Sequence, residues 1–304
     1  MTAAPTPGNW AGVVSLGLIW GGTFMVVAIA LEGYGPLTVA AARTGLGTLA
    51  LIAVMAAMRS PLPRLTPGLT GSLVATGLLN TALPFTLLSW GQQYVPSAFA
   101  GISMAAIPLF VLPLAHLFSD ERMTLRNLLG VTLGFAGAAV LIGPAVLQIG
   151  SGLAPLGQLA CVGAALSYAV SSIMTRNIPP MDPIALATIL MAVGAAALIP
   201  AMLIVDGIPA LVDTRTGLAI LFLGLFPTAL AALIRVVTIR SAGSVFMTLV
   251  NYQVPVWSMI FGAVILNETL PWRFFAALAL ILTGLAISQW ASLRRLIRGQ
   301  PRQP

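Results

Sequence analysis

Ten long apolar runs cover nearly all of this 304-residue chain and constrain its fold more than any other feature. A helix of roughly 20 mainly apolar residues crosses the bilayer core of about 30 Å. Helices are favoured over a β-barrel because the runs are continuous, whereas barrel strands alternate. The sequence therefore predicts an all-α membrane protein with ten transmembrane helices. The predicted spans are Trp10 to Leu31, Leu37 to Met58, Leu69 to Trp90, Ala98 to Phe118, Leu128 to Leu147, Leu156 to Met174, Ile184 to Val205, Gly217 to Ile239, Ser244 to Leu266 and Trp272 to Trp290.

Composition excludes several classes of protein. Hydrophobic residues make up 59% of the chain and charged residues 7%, which leaves too little polar surface for a water-soluble globule. All 14 basic residues are arginines that form no phosphate-tracking run, so no nucleic-acid partner is expected. One cysteine, Cys161, and one histidine, His116, provide neither an internal disulfide nor a metal-ligand cluster. We therefore expect no metal and no cofactor.

The arginines are distributed unequally between the two sides of the membrane. Alternate numbering of the loops puts ten on one side: Arg59, Arg64, Arg122, Arg126, Arg176, Arg240, Arg294, Arg295, Arg298 and Arg302. Only Arg215 and Arg273 fall opposite, with Glu32, Asp206, Asp213 and Glu268. Because cytoplasmic loops carry the excess of positive charge, we expect both termini in the cytoplasm. High Ala, Gly and Arg content without lysine indicates a prokaryotic gene, and hence the cell inner membrane.

The second half of the chain repeats the first at an offset of 147 residues, without gaps. The matches include Pro36 with Pro183, Gly47 with Gly194, Gly77 with Gly224, Pro108 with Pro255, Glu121 with Glu268, and Arg126 with Arg273. The expected units are residues 1–147 and 148–291, followed by a basic cytoplasmic tail at 292–304. Each unit holds five spans, an odd number, so the second lies upside down relative to the first. Inverted repeats are typical of alternating-access transporters, which hold their substrate between the halves.

Several motifs resemble the EamA-type members of the drug/metabolite transporter superfamily. They are Trp20-Gly21-Gly22-Thr23-Phe24, Pro36 with Arg43, Pro108 with Glu121, Gly130 and Gly137, and in the second half Pro255, Glu268 and Gly284. The chain departs from the family at Asp120-Glu121 and Asn267-Glu268, where Gly-Glu is common, and at Leu190, where Arg43 would repeat. The resemblance implies ten helices in two five-helix repeats and export of metabolites. Exporters of amino acids, including aromatic ones, are one branch.

Polar side chains inside the predicted spans are the candidate substrate ligands. Asn251, Tyr252 and Gln253 stand in the middle of the ninth span, where unpaired polar groups facing lipid would cost a few kcal/mol. They either line a cavity or form hydrogen bonds with a neighbouring helix. Arg43 lies about 9 Å below the outer interface, at roughly 1.5 Å per residue. It either binds a substrate carboxylate or pairs with Glu268 or Glu32.

Aromatic and proline residues complete the candidate site. We expect Tyr168, Tyr252 and Trp257 to be cavity residues, because their spans also carry polar neighbours. Proline lacks an N–H and bends helices, so Pro108 and Pro255 are candidate gating positions at matching depths of the fourth and ninth spans. Irregular helices are also expected in the third and eighth spans, which carry Asn80, Pro84 and Pro227.

The absence of an Asp or Glu from the middle of any span shapes the functional prediction. A proton-exchanging transporter or a binding site for cationic drugs would use such a carboxylate. The sequence therefore favours an alternating-access transporter, an exporter or facilitator of small neutral or zwitterionic metabolites such as amino acids. The alternative is a proton-coupled efflux pump for multiple drugs or organic cations. No nucleophile stands beside a base, so no catalytic residues are expected, and no obligatory protein partner is inferred.

Overall fold

The computed structural model describes residues 6–118, 123–143, 152–210 and 212–290, together with residue 294. The regular structure of these residues is helical, and none of them lies in a β-strand. Eight of their helices are long and apolar enough to cross a membrane, and two shorter apolar helices follow towards the C-terminus. Many large apolar side chains on their outer faces are exposed, among them Leu49, Ile204 and Val264. The protein is an all-helical membrane protein, and this apolar surface suits contact with lipid.

The long helices are, in chain order, α1 (Pro7–Leu31), α2 (Pro36–Met58), α3 (Pro67–Gly91), α4 (Ser97–Phe118), α5 (Leu125–Ile142), α6 (Ala154–Asn177), α7 (Pro183–Val205) and α8 (Thr214–Ala242). The shorter helices are α9 (Val250–Ile265), preceded by a single turn at Ser244–Met247, and α10 (Trp272–Ser288). Helices α1, α2, α3 and α7 begin with proline. Proline suits this position because an N–H in the first turn has no intrahelical acceptor, so its absence costs no hydrogen bond.

The helix ends lie within a few residues of the predicted spans, with two exceptions. The fifth span was expected to continue to Leu147, but α5 ends at Ile142, because Gly143 has a φ of +63°. Residues 144–147 lie outside the described part. The ninth span was expected to be continuous from Ser244, but turns at Thr248 and Leu249 interrupt it. Backbone bonds three residues apart close these turns, for example from the N–H of Asn251 to the carbonyl of Thr248.

Two helices contain a π-helical segment. These segments are Leu78–Ala82 in α3 and Leu225–Leu230 in α8. Pro84 follows the first, and Pro227 lies in the second, so both irregularities occur where the sequence predicts them. Helix α4 is interrupted at residues 105–106, just before Pro108, whereas α9 continues through Pro255. The two prolines therefore have different local structures despite their matching positions in the sequence.

Contacts between the two halves are reciprocal. Helices begin 147 residues apart in the pairs Pro7 and Ala154, Pro36 and Pro183, Pro67 and Thr214, and Leu125 and Trp272. Helix α2 packs against α7 and α5 against α10, while α1 contacts α9 and α6 contacts α4. A Cβ on Gly47 would lie 3.2 Å from Oγ1 of Thr228, and Gly194 packs in the same way against Thr81. Each of these contacts joins a residue of one half to a residue of the other.

Glycines bring α1 close to α9. A Cβ on Gly17 would lie 2.8 Å from Oε1 of Gln253, and one on Gly21 would lie 2.5 Å from Cβ of Trp257. Small residues spaced four apart allow this close approach between membrane helices. Gly17 and Gly21 of α1 therefore pack against α9 of the same chain.

Acidic side chains cap helices at one end of the bundle, where α2, α4, α6, α8 and α10 begin. We call this the acidic end, after the residues Glu32, Asp206, Asp213 and Glu268. The carboxylate of Asp206 accepts hydrogen bonds from the N–H and hydroxyl of Thr38 at the start of α2. Glu268 accepts from the N–H groups of Ser97 and Ala98 at the start of α4. Loops that the sequence assigns to the outer side thus meet at one end of the bundle.

Candidate functional site

Arg43 lies inside the helical bundle, in the second turn of α2. Its guanidinium carbon is 3.8 Å from the centroid of the Phe85 ring in α3. Its Nε atom is buried and has no hydrogen-bond partner among the described residues. The planar guanidinium can stack on an aromatic face and still present N–H groups to a planar anion. Arg43 is therefore a cation with unused donors inside an apolar bundle.

Neither carboxylate expected to pair with Arg43 is free to do so. Glu32 lies 2.8 Å from Arg215 at the acidic end, and Glu268 accepts the two backbone N–H groups at the start of α4. No carboxylate among the described residues lies within 4.0 Å of the Arg43 guanidinium. The expected ion pair is replaced by the contact with Phe85.

Tyr168 lies in α6 and Asn80 in α3, two helices that pack against each other. The Tyr168 ring in α6 packs against the apolar cluster that contains Phe85. Asn80, in the π-helical segment of α3, accepts a 3.0 Å hydrogen bond from the hydroxyl of Ser171 in α6. Two predicted site residues, Arg43 of α2 and Tyr168 of α6, thus lie against the apolar cluster around Phe85, and Asn80 joins α3 to α6. We call Arg43, Phe85 and Tyr168 the Arg43 cluster.

The predicted residues of α9 lie apart from one another around that helix. Asn251 is exposed, and the Tyr252 hydroxyl is buried without a hydrogen-bond partner in the described part of the chain. Gln253 and Trp257 pack against the glycines of α1, and the Trp257 ring stacks on Phe261 with centroids 5.8 Å apart. Gln253 and Trp257 therefore belong to the α1–α9 contact, while Tyr252 has a hydroxyl free to bind another group.

The carbonyl of one candidate proline accepts a side-chain hydrogen bond from the other half of the chain. The Nε1 of Trp20 in α1 donates a 3.2 Å hydrogen bond to the carbonyl of Pro227 in the π-helical segment of α8. Pro84 and Pro255 are buried, and Pro108 is half-buried. The bond from Trp20 joins the two halves at an irregular point of α8.

A cavity of about 480 Å³ lies at the acidic end, away from the Arg43 cluster. Its polar lining residues are Tyr94, Gln158, Thr269 and Arg273, and Phe99 and Phe274 form apolar walls. No residue predicted to bind substrate is among the described residues that line it. The sequence placed the substrate nearer the membrane middle and did not predict this cavity. The signals that could have indicated it are Arg273, one of two arginines on that side, and the neighbouring glutamine.

Polar groups enclosed by apolar helices define a class of membrane protein. A cation, aromatic faces and hydroxyl groups lie between helices of the two halves, and irregular helices pass beside them. Intramembrane polar residues and interrupted helices in one bundle are typical of proteins that move solutes. Fold and site thus define a multi-pass transport protein.

Comparison with known proteins identifies the family. Residues 10–143 and 155–289 match the EamA-like transporter family, so the chain belongs to that family and is a transporter. The resemblance found in the sequence motifs is therefore confirmed at the level of the family.

Relatives and one solved structure agree with this assignment. The chain is 28% identical over 282 residues to "Uncharacterized inner membrane transporter YedA" of Escherichia coli (strain K12), covering 91% of this chain and 89% of that protein. It is 29% identical over 290 residues to "Probable amino-acid metabolite efflux pump" of Salmonella typhimurium, covering 89% and 91%. A crystal structure with 20% identity matches with a TM-score of 0.64 over 94% of this chain and 98% of that one. This structural similarity supports the fold.

Proposed function

We propose that the protein is an alternating-access transporter that moves small zwitterionic or neutral metabolites, above all amino acids, across the cell inner membrane. Both termini lie in the cytoplasm in this proposal. The Arg43 cluster is the observation that carries it. A guanidinium with a free N–H, beside a phenyl ring and a tyrosine, matches the carboxylate and the aromatic side chain of an aromatic amino acid.

The proposed architecture is two inverted repeats of five membrane helices, at residues 1–147 and 148–291. Three observations support it: the family matches the chain twice, the helices begin at a constant offset, and the glycine contacts between the halves are reciprocal. An odd number of spans in each repeat inverts the second relative to the first. Inverted repeats provide two equivalent packings, and exchange between them opens a central site to each side in turn.

The chemistry of the bundle supports a substrate without net positive charge. Every acidic residue of the sequence lies at a predicted loop or helix end, so no carboxylate is available in the middle of a span for an organic cation or for a translocated proton. The relative named as an amino-acid metabolite efflux pump supports the substrate class. We propose that Tyr252, whose hydroxyl is buried and unpartnered, and the exposed Asn251 provide further contacts from α9. Asn80 completes this set from α3.

Counterflow in proteoliposomes tests this function. Liposomes loaded with unlabelled phenylalanine should take up labelled phenylalanine in a saturable manner, and a pH gradient should change the initial rate by less than about twofold, because no span carries a carboxylate. Labelled tetraphenylphosphonium, which crosses lipid bilayers unaided, should enter no faster than it enters protein-free liposomes. Uptake of only the organic cation, dependent on the proton gradient, would instead establish a proton-coupled efflux pump. Empty liposomes and the variant Arg43→Gln provide the controls.

A further inference from the structure

The cavity at the acidic end is lined by two helix N-termini for which no side-chain cap is found among the described residues. Ala154 begins α6 and Trp272 begins α10, and neither N-cap residue, Leu153 or Pro271, provides a side-chain hydrogen bond. The cavity contacts both starts, at Ala154 and at Pro271. The first N–H groups of a helix have no intrahelical partner and carry partial positive charge. Both helix starts therefore border the same cavity, α6 without an N–H at Pro155 and α10 with the N–H of Phe274 bonded to the carbonyl of Pro271.

The other three helices that begin at this end have an acidic cap. Asp206 provides it for α2, Glu268 for α4 and Asp213 for α8. The cavity has no equivalent, because none of the described residues that line it is acidic. The Glu268 carboxylate next to Thr269 is engaged with the start of α4. The cavity thus lacks the negative charge that the neighbouring helix starts possess.

The side chain of Arg273 adds to this positive environment. Arg273, the second residue of α10, lines the cavity, and its Nε atom is buried without a partner among the described residues. A cation is unfavourable in the first turn of a helix unless an anion is nearby. Its Nη1 lies against Gly143, where a Cβ would be only 2.6 Å away.

Gln158 is the second, independent indication of a ligand. It lies one turn into α6, lines the cavity and is 5% exposed, and its Oε1 has no hydrogen-bond partner in the described part of the chain. A buried amide without a partner is unfavourable, so a group that hydrogen-bonds there would be stabilised. The rings of Phe99 and Phe274, 6.0 Å apart, form an apolar wall of the same space.

We propose that this cavity is a second binding site, which takes a small solute with a carboxylate and an apolar or aromatic body. The carboxylate lies between Arg273 and the starts of α6 and α10, Gln158 contacts a polar hydrogen of the solute or a bridging water, and the body lies against Phe99 and Phe274. A volume of about 480 Å³ lies within the range of small-molecule sites, roughly 300–1,000 Å³. The site goes beyond the proposed transport function, because binding here requires neither the Arg43 cluster nor movement of the halves.

Protection of an introduced cysteine tests this site without any transport step. Thr269 lines the cavity and is exposed, whereas the native Cys161 is buried, so Thr269→Cys adds one accessible thiol and the unsubstituted protein is the unlabelled control. The protein is reconstituted in phosphatidylcholine nanodiscs and reacted with a maleimide. Phenylacetate should slow the reaction at least about fivefold, and phenylacetamide, the same size but neutral, should not.

Variants of the Thr269→Cys protein identify the side chains that bind phenylacetate. Arg273→Gln in the Thr269→Cys background should raise the phenylacetate concentration needed for half protection by at least about tenfold, as expected for loss of a charged hydrogen bond. Gln158→Met should raise it several-fold, because it removes the acceptor of a bridging water that also donates to the carboxylate, and it keeps the proposal testable if the arginine variant does not fold. Arg215→Gln is the matched control, because Arg215 lies at the same end but pairs with Glu32. Continued absence of labelling at the buried Cys161 shows that each variant is folded.

Three results would overturn the proposal. Equal protection by phenylacetate and phenylacetamide would show that no carboxylate is recognised. Protection that survives Arg273→Gln and Gln158→Met unchanged would place the ligand elsewhere. Protection that appears only when phosphatidylglycerol replaces phosphatidylcholine, with no effect of phenylacetate, would assign the cavity to a lipid headgroup. Protection without any counterflow would leave this site established and refute the proposed transport function alone.

Discussion

Arg43 and Arg273 are both arginines with a buried, unpartnered Nε, but they lie in different surroundings. Arg43 is enclosed by helices and stacks on Phe85, at a distance of 3.8 Å from its centroid. Arg273 lies at a helix start beside a cavity, and its guanidinium carbon is 5.9 Å from the nearest aromatic centroid, that of Phe274. In our two proposals, one residue type serves two binding sites, one inside the bundle and one at its end.

The difference in surroundings predicts a difference in energetic importance. A cation surrounded by apolar helices experiences a low dielectric constant, so its interaction with a bound carboxylate is strong. A cation at the end of the bundle lies closer to water, which screens the interaction. Loss of the charge at Arg43 should therefore affect transport more than loss at Arg273.

The largest expected effect is that of Arg43→Gln. Counterflow of labelled phenylalanine should fall by at least about thirtyfold, because the substrate carboxylate loses a charged hydrogen bond in a water-poor site. Arg43→Lys should recover part of the rate, since it retains the charge but not the planar stack on Phe85. Equal amounts of reconstituted protein control for insertion. Counterflow at the unsubstituted rate in Arg43→Gln would remove the Arg43 cluster from the substrate site.

Arg273→Gln should have a smaller effect on the same measurement. We expect a maximal counterflow rate within about threefold of the unsubstituted protein, because the cavity at the acidic end lies outside the proposed central pathway. The same series gives the phenylalanine concentration for half-maximal rate, which should also change by no more than about threefold. A loss as large as that of Arg43→Gln would mean that the two arginines serve one site, and the comparison between them would fail.

The sequence predicts the helices well and the contacts between them poorly. A run of about 20 apolar residues is a strong physical signal, so the spans were located to within a few residues. Arg43, Asn80 and Tyr168 were each identified as site candidates because polar groups are rare in such runs. Which helix faces meet depends on packing, so the contact of Arg43 with Phe85 was not predicted. Nor could the sequence show that Glu32 and Glu268 are already engaged.

The cavity at the acidic end was missed because no single segment indicates it. Its polar residues come from the loop after α3, the N-terminal turns of α6 and α10, and the loop before α10. Each of these residues alone resembles an ordinary helix-end residue, and only the three-dimensional arrangement places them around one space. The sequence shows that Leu153 and Pro271 are not acidic. Only the structure shows that the two helix starts line the same cavity.

Glu268 caps the start of α4 at the acidic end and so contributes to stability. Replacement of Glu268 by Ala removes the acceptor for the two N–H groups at the start of α4 and should lower the free energy of unfolding by about 1–2 kcal/mol. Thermal unfolding in detergent measures the change. Glu32→Ala is the matched control, because its ion pair with Arg215 is exposed and should contribute less than about 1 kcal/mol. Equal losses in the two variants would contradict the capping role.

Trp20→Phe tests the contact between α1 and α8. The substitution removes the hydrogen bond from Nε1 of Trp20 to the carbonyl of Pro227, and we expect a loss of about 1 kcal/mol in unfolding free energy. Trp272→Phe, at an exposed position, should change it by less than about 0.5 kcal/mol. If both variants unfold at the same temperature as the unsubstituted protein, the hydrogen bond from Trp20 does not stabilise the π-helical segment of α8.

The smallest effect is expected at Asp213, whose helix start has the cap that α6 and α10 lack. Hydrogen bonds from the N–H and hydroxyl of Thr216 lower the pKa of the Asp213 carboxyl, with smaller contributions from Arg215. Because the folded-state pKa is lowered, the stabilisation is complete above the unfolded value of about 3.9 and is lost as the pH falls through the folded value. Asn caps helices about as well as Asp. The stability difference between the unsubstituted protein and Asp213→Asn should therefore be small and constant from pH 5 to 8, and should change only below about pH 4. A difference that varied between pH 5 and 8 would show that another group titrates with this helix start, and the contrast between capped and uncapped helices at the acidic end would need a different explanation.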